Sequence, residues 1–192
     1  MKTDLKPNSY EWLEYQKKYI NENEIEIIMG INNSISVKDL IKKKILDNHL
    51  FLNKDSETEK KTKLHANLFF NILKKRNYEP AVFIKKPFLV SLDGYHSESK
   101  TMLEIKCPSK LKDILLWKEF SKNNKIPIYH FCRIQYKIYC SESLKAYFLV
   151  YFEEQKYFLK EIRLDTKFIK KMIEETDKYK EIFAKYEKIL KN

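Results

Sequence analysis

The stretch Ser91-Leu92-Asp93-Gly94, followed ten residues after the glycine by Glu104-Ile105-Lys106-Cys107-Pro108, constrains this chain more than any other. It reads as two short strands, FLVSLD and MLEIK, joined by a polar turn, GYHSESK. Side chains along a strand alternate between faces, so Glu104 and Lys106 share one face and Asp93 closes the preceding strand. Two carboxylates and a lysine can then converge on one point. Charged residues inside an apolar strand are costly to bury without a purpose. A point of this kind suits metal-assisted cleavage of a phosphodiester. Carboxylate oxygens hold Mg²⁺, the ion polarises the phosphate, and the lysine orients or helps deprotonate a water. The competing reading is an edge strand that carries a solvated Glu–Lys pair.

Size and composition narrow the setting. The 192 residues suit one domain with a sizeable core, and an aromatic content of 14% is not that of a disordered chain. Lys and Arg number 38 against 27 Asp and Glu, a net charge of +11 that points to a polyanionic partner. A compositional bias toward lysine would give the same excess. Three cysteines without CxxC spacing (Cys107, Cys132 and Cys140) argue against a disulfide framework, a zinc site or an iron–sulfur cluster. Cys107 is expected to be a small buried residue. The start, MKTDLKPNSYEW, lacks an apolar h-region, and no apolar run approaches the roughly 20 residues that span a bilayer. The expected location is cytoplasmic, away from membranes.

Periodicity predicts a helix over 8–20 capped by Asn8 or Ser9, a turn over Gly30–Ser36, and a helix over 37–46 capped by Ser36. Val37, Leu40, Ile41 and Leu46 are its expected inward face. Residues 53–63 read as a charged loop that leads into a helix at roughly 62–76. Leu64, Leu68 and Ile72 form that helix's expected core stripe, with His65 beside it. Strands follow at Ala81–Ile84, Phe88–Asp93 and around Glu104–Lys106, the last ended by Pro108. Residues 110–122 read as helix, and 128–140 as either a strand or a buried helix. A hairpin, KAYFLVYF and KYFLKEIRL turning at 153–155, precedes a helix over 165–191 capped by Asp165 or Thr166. This order predicts a mixed sheet flanked by helices rather than a doubly wound fold.

Three further residues carry chemistry only in context. His65 can become a third metal ligand if its helix packs over the Asp93 strand. Gln135 and Tyr139 share a face if 128–140 is helical, where they could contact a phosphate or a water.

The segment SLDGYHSESKTMLEIKCP resembles the core motif of the lambda-exonuclease/YqaJ-type viral recombinase nucleases of the PD-(D/E)xK superfamily. IYHFCRIQYKIYC resembles that family's glutamine-bearing helix, and SLKAYFLVYF the aromatic strand after it. The similarity covers roughly residues 60–185. It implies a restriction-endonuclease-like α/β fold, a central mixed β-sheet flanked by α-helices, with 128–140 helical. It implies one nuclease domain over 1–192, with N-terminal helices over about 8–50, a catalytic core over about 60–165 and a C-terminal helix over about 165–191.

The resemblance also implies roles, residue by residue. Asp93 and Glu104 match the metal-binding carboxylates and Lys106 the catalytic lysine. The Ile105 carbonyl matches a backbone metal ligand, and Gln135 and Tyr139 match the QxxxY pattern. His65 stands where many relatives have glutamate, Arg133 where a first glutamine is common, and Leu92 where a proline is usual. The implied activity is a Mg²⁺-dependent double-strand DNA exonuclease in phage or mobile-element recombination, with Mn²⁺ able to substitute. A single-strand-annealing partner and a homotrimer come with the family. Lys42–Lys44 and Lys60–Lys63 are candidates for contacts to the DNA backbone. The rivals are a sequence- or structure-specific endonuclease of the same fold, a catalytically silent DNA-binding protein, and a basic interaction module with no nucleic-acid role.

Overall fold

The computed structural model describes residues 1–7, 9–46, 57–153 and 156–190. In chain order its elements are β1 (Lys2–Thr3), α1 (Tyr10–Lys18), α2 (Glu22–Ile28), α3 (Val37–Ile45) and α4 (Glu57–Lys74). Strands β2 (Glu79–Lys85), β3 (Phe88–His96) and β4 (Thr101–Lys106) follow, then α5 (Leu111–Lys122) and α6 (Ile128–Ser141). Strands β5 (Lys145–Glu153) and β6 (Lys156–Ile162) precede α7 (Thr166–Leu190).

The strands form one six-stranded sheet in chain order, antiparallel throughout except for the parallel pair β4–β5. A parallel pair needs a long crossover, and α5 and α6 supply it. This is the mixed sheet of a restriction-endonuclease-like α/β fold. Alternation along β4 and β5 divides the core. Met102, Ala146, Phe148 and Val150 pack with residues of α2, α3, α6 and α7. Leu103, Ile105, Leu149 and Tyr151 pack with Ala66 and Phe70 of α4. Among the described residues, no helix is long and apolar enough to cross a membrane.

Local chemistry sets the helix starts. The Ser9 side chain accepts from the Trp12 amide, Ser36 from Asp39, and Asp165 from Lys167 and Phe168. Asn21 and Glu24 form a reciprocal capping box at α2. Segment 128–140 is helix despite its β-favouring residues. It lies in the crossover and is buried around much of its circumference, which suits a helix apolar on most sides.

Several expectations fail for identifiable reasons. The periodicity does not predict α2, because its acids interrupt the apolar pattern. Helix α4 begins at Glu57, so 57–63 is helix and not loop; acids in its first turn suit the helix dipole. Its buried residues are Ala66 and Phe70, while Leu64, Leu68 and Ile72 are 58%, 51% and 78% exposed. Leu46 is exposed rather than inward, and Cys107 is only partly buried. Residues 53–56, the possible cap Asn8 and the hairpin residues 154–155 lie outside the described residues.

Gly94 does not turn the chain, because β3 runs on to His96. Its role is close approach. A Cβ there would lie 2.8 Å from Tyr78 Cβ and 3.2 Å from both Asn67 Nδ2 and Leu103 Cβ. Two of these neighbours are Cβ atoms fixed to the backbone, one on Leu103, the β4 partner of Gly94, and one on Tyr78 just before β2, and neither can swing away. Gly94→Ala should therefore destabilise the protein by about 1–3 kcal/mol, the usual cost of overpacking, measurable by urea denaturation.

His130 of α6 sits among Trp117, Tyr129 and Phe148, with ring centroids 4.9, 4.4 and 5.8 Å away. Burial pushes its pKa down to about 3, with nearby Lys106, Arg133 and Lys137 acting the same way and Glu104 opposing. A depressed folded-state pKa means that the stabilisation is complete above the unfolded value and is lost as pH falls toward the folded one. Over pH 6.5 to 5, His130→Phe should lose less stability than the wild type, by up to about 2 kcal/mol. Urea denaturation at the two pH values tests this; parallel losses would show that His130 is not buried neutral.

Candidate active site

The site forms where strands β3 and β4 stop pairing. Their ladder runs through His96↔Thr101, Tyr95↔Met102 and Gly94↔Leu103. One residue further, the Ile105 amide donates to Asp93 Oδ2 at 2.7 Å, so a side chain takes the place of a strand partner. A buried amide must be satisfied somewhere, and this bond fixes the Asp93 carboxylate against β4. Asn67 Nδ2 of α4 holds the same residue from the other side, donating to the Asp93 and Tyr78 carbonyls at 3.2 and 3.1 Å. Asn71, one turn on, donates to Asn67 Oδ1 and accepts from the Tyr78 amide.

Glu104 is 1% exposed. A carboxylate so deeply buried requires cationic partners. Lys137 Nζ of α6 lies 2.8 Å from Glu104 Oε2, and Lys106 Nζ lies 3.4 Å from Oε1. Lys137 also reaches Glu22 Oε2 of α2 at 2.6 Å, and Lys63 of α4 stands 3.6 Å from Asp93 Oδ1. The cluster therefore joins three acids to three lysines.

These charges push the two central carboxylates apart. Burial raises the Glu104 pKa, but Lys137 and Lys106 outweigh it and hold the carboxyl well below the usual range. At Asp93, burial and then the Glu104 charge raise the pKa, more than Lys63, Lys137 and Lys106 lower it. Burial alone would lower the Lys137 pKa, yet Glu104, Glu22 and Asp93 reverse that and keep it an ammonium.

The residues singled out from sequence fall into two sets. Asp93 bonds the Ile105 amide, and Lys106 lies beside Glu104. His65 is exposed on α4, whose Lys63 and Asn67 face Asp93; a residue midway between them on a helix points away. Gln135 is fully buried, but its amide clamps the β6–α7 connection, donating to the Arg163 carbonyl at 2.8 Å and accepting from the Asp165 amide at 2.7 Å. Tyr139 lies under Lys85 Nζ, 4.3 Å from its ring centroid, and 6.0 Å from Phe88. Arg133 pairs with Glu26 of α2.

The sequence pattern does not single out Lys137, Glu22 or Asn67, and it marks Lys63 as a candidate contact to the DNA backbone rather than as a partner of Asp93. One signal was present: Arg133 and Lys137 are two cations spaced four apart on a largely apolar helix, and so on one face of it. Lysine is almost never buried unless paired.

The donors suit a hard divalent ion. Among the described residues, Asp93 Oδ1 and Glu104 Oε1 have long contacts to lysines, whereas Oδ2 and Oε2 are committed to short hydrogen bonds. Among the described residues, no group of three or more His, Cys, Asp or Glu converges to hold a metal. Magnesium commonly takes one or two carboxylates, with water and substrate phosphate completing its shell, so Asp93 and Glu104 fit it. Softer metals would call for imidazole or thiolate ligands.

No protein-family model matches the chain, and no curated protein matches it either. Solved structures do. An alkaline exonuclease, LHK-Exo from Laribacter hongkongensis, superposes with a TM-score of 0.77 at 18% identity, over 95% of this chain and 96% of that one. LHK-Exo in complex with dAMP gives 0.74 at 17% identity, over 95% and 96%. A phage-related exonuclease from Haemophilus somnus 129PT gives 0.64 at 12% identity, over 88% and 94%. With near-complete coverage and little sequence identity, what is shared is the backbone: this chain has the fold of these exonucleases.

Proposed function

We propose that this chain is a metal-dependent deoxyribonuclease, a double-strand DNA exonuclease of phage or mobile-element recombination, built as one domain and working in the cytoplasm. The observation that supports this reading is the end of the β3–β4 ladder, where Asp93 bonds the Ile105 amide and Lys106 lies beside Glu104. The shared fold of the alkaline and phage-related exonucleases supports it.

Asp93 Oδ1, Glu104 Oε1 and the Ile105 carbonyl would hold Mg²⁺, or Mn²⁺ in its place. The bound ion would polarise the scissile phosphate and lower the pKa of a water. Lys106 sits at the mouth of the site, more exposed than Glu104, where its ammonium can orient that water and steady developing phosphate charge. Asn67 and the Ile105 amide hold Asp93 in place. Gln135 contributes indirectly, by fixing α6 to the start of α7.

DNA is the proposed substrate, gripped through its phosphates by exposed lysines such as Lys42, Lys60 and Lys61. Lys44 is not among them, because its ammonium is buried on Glu24 and on the Gln16 and Tyr19 carbonyls. A single-strand-annealing protein is the expected partner in recombination.

The test is degradation of linear duplex DNA with Mg²⁺ or Mn²⁺. Lys106→Ala should lower the rate by about 100-fold or more, the range of a lost electrostatic stabiliser. Inactivity of the wild type with both ions would remove the enzyme reading, and an equally active variant would remove the site assignment. Cleavage of closed-circular DNA as fast as linear DNA would favour an endonuclease.

The exposed Leu64–Leu68–Ile72 stripe supports self-association of the chain, as a trimer on the family resemblance. Size-exclusion chromatography with light scattering should give a mass that is a multiple of 23.3 kDa. Leu68→Glu should reduce it to the monomer, and a monomeric wild type would overturn the proposal.

A further inference from the structure

We propose that Lys137 is a tethered cation that fills one of two cation positions in the carboxylate cluster, so that the site binds one divalent ion per chain and not a pair. The inference rests on the nuclease reading of this site.

The argument is one of donors and room. Two-ion sites hold their ions about 3.5–4 Å apart and need carboxylates shared between them. Here Glu104 is the carboxylate placed to be shared. One of its oxygens, Oε1, has a loose contact to Lys106; the other, Oε2, is bonded to Lys137 at 2.8 Å. Glu22 is the third acid that a second ion would require. Its Oε2 is buried and lies 2.6 Å from the Lys137 ammonium. An ammonium has three donors and can span two carboxylates as a bound ion would.

The three lysines differ in their freedom to leave. The side chains of Lys63 and Lys106 are 32% and 24% exposed, while that of Lys137 is 5% exposed. The first two can swing into solvent when an ion binds at Asp93 Oδ1 and Glu104 Oε1. Lys137 is buried, and its departure would strand the buried charge of Glu104. Lys137 is thus a positioning residue that acts through Glu104.

Mn²⁺ titration followed by electron paramagnetic resonance counts the ions without reference to activity. Wild type should bind one per chain. Lys137→Met should bind two, with the spin-coupled signal of a close pair, and Lys137→Met combined with Glu22→Met should return to one. Two ions in the wild type, or one in a folded Lys137→Met, would overturn the proposal. Should Lys137→Met not fold, Lys137→Arg decides beside the wild type: one ion in both supports the proposal, and two in either overturns it. Failure to bind any ion in the wild type is a separate result that removes the nuclease reading itself, and this inference with it.

Discussion

A carboxylate in the middle of the sheet, with almost no access to water, sets conditions that the rest of the chain must meet. Glu104 lies on β4 beside the parallel strand β5, where neither edge nor loop can relieve its charge. Its cations must come from elements that reach that depth. Lys106 comes from the same strand and Lys137 from the crossover helix α6. Lys137 in turn needs Glu22, which ties α2 to the sheet. Removing one partner of a buried pair typically costs about 3–5 kcal/mol, because the other charge is left uncompensated. The cluster is therefore a condition for correct docking of α2 and α6 as well as a chemical site.

A second constraint acts on the backbone. Strands β3 and β4 must separate to make room for the site, and each separated amide then needs a new partner. Asp93 provides it for Ile105, so the residue that would hold an ion also repairs the ladder. Asn67 secures the Asp93 carbonyl from α4, and that close approach leaves no space for a Cβ at position 94. Gly94 is thus explained by its neighbours and not by a turn.

The parts of the site that share a strand were legible because alternation with period two is local: Glu104 and Lys106 have to share a face. The helices were not legible in the same way. On α6, Gln135–Tyr139 and Arg133–Lys137 are both pairs spaced by four, and spacing alone cannot say which pair faces the sheet. Tertiary packing decides: Lys137 meets Glu104 on the sheet and Arg133 meets Glu26 on α2, while Tyr139 lies against Phe88 and Lys85 and Gln135 holds the β6–α7 connection. On α4 the apolar stripe Leu64–Leu68–Ile72 looks like a core face yet is exposed, whereas Ala66, Phe70 and the two asparagines dock the helix. Helix α2 escaped notice because its acids interrupt the apolar pattern; they are buried on cations that lie far away in the chain.

Those pairs also bear on the basic character of the protein. The buried acids Glu24, Glu26 and Glu104 meet Lys44, Arg133 and Lys137, so folding withdraws the two signs together. A neutral withdrawal leaves the net charge of +11 to the surface, where only phosphates or counterions can balance it. Lysine bias in composition could supply these residues, but it does not explain why the interior leaves the excess untouched. A surface charge of this kind raises the local concentration of a polyanion near a site whose own acids and lysines cancel. On the proposed function, attraction and chemistry are divided between different residues: the exposed lysines would bring the phosphates in, and the neutral cluster would hold the divalent ion.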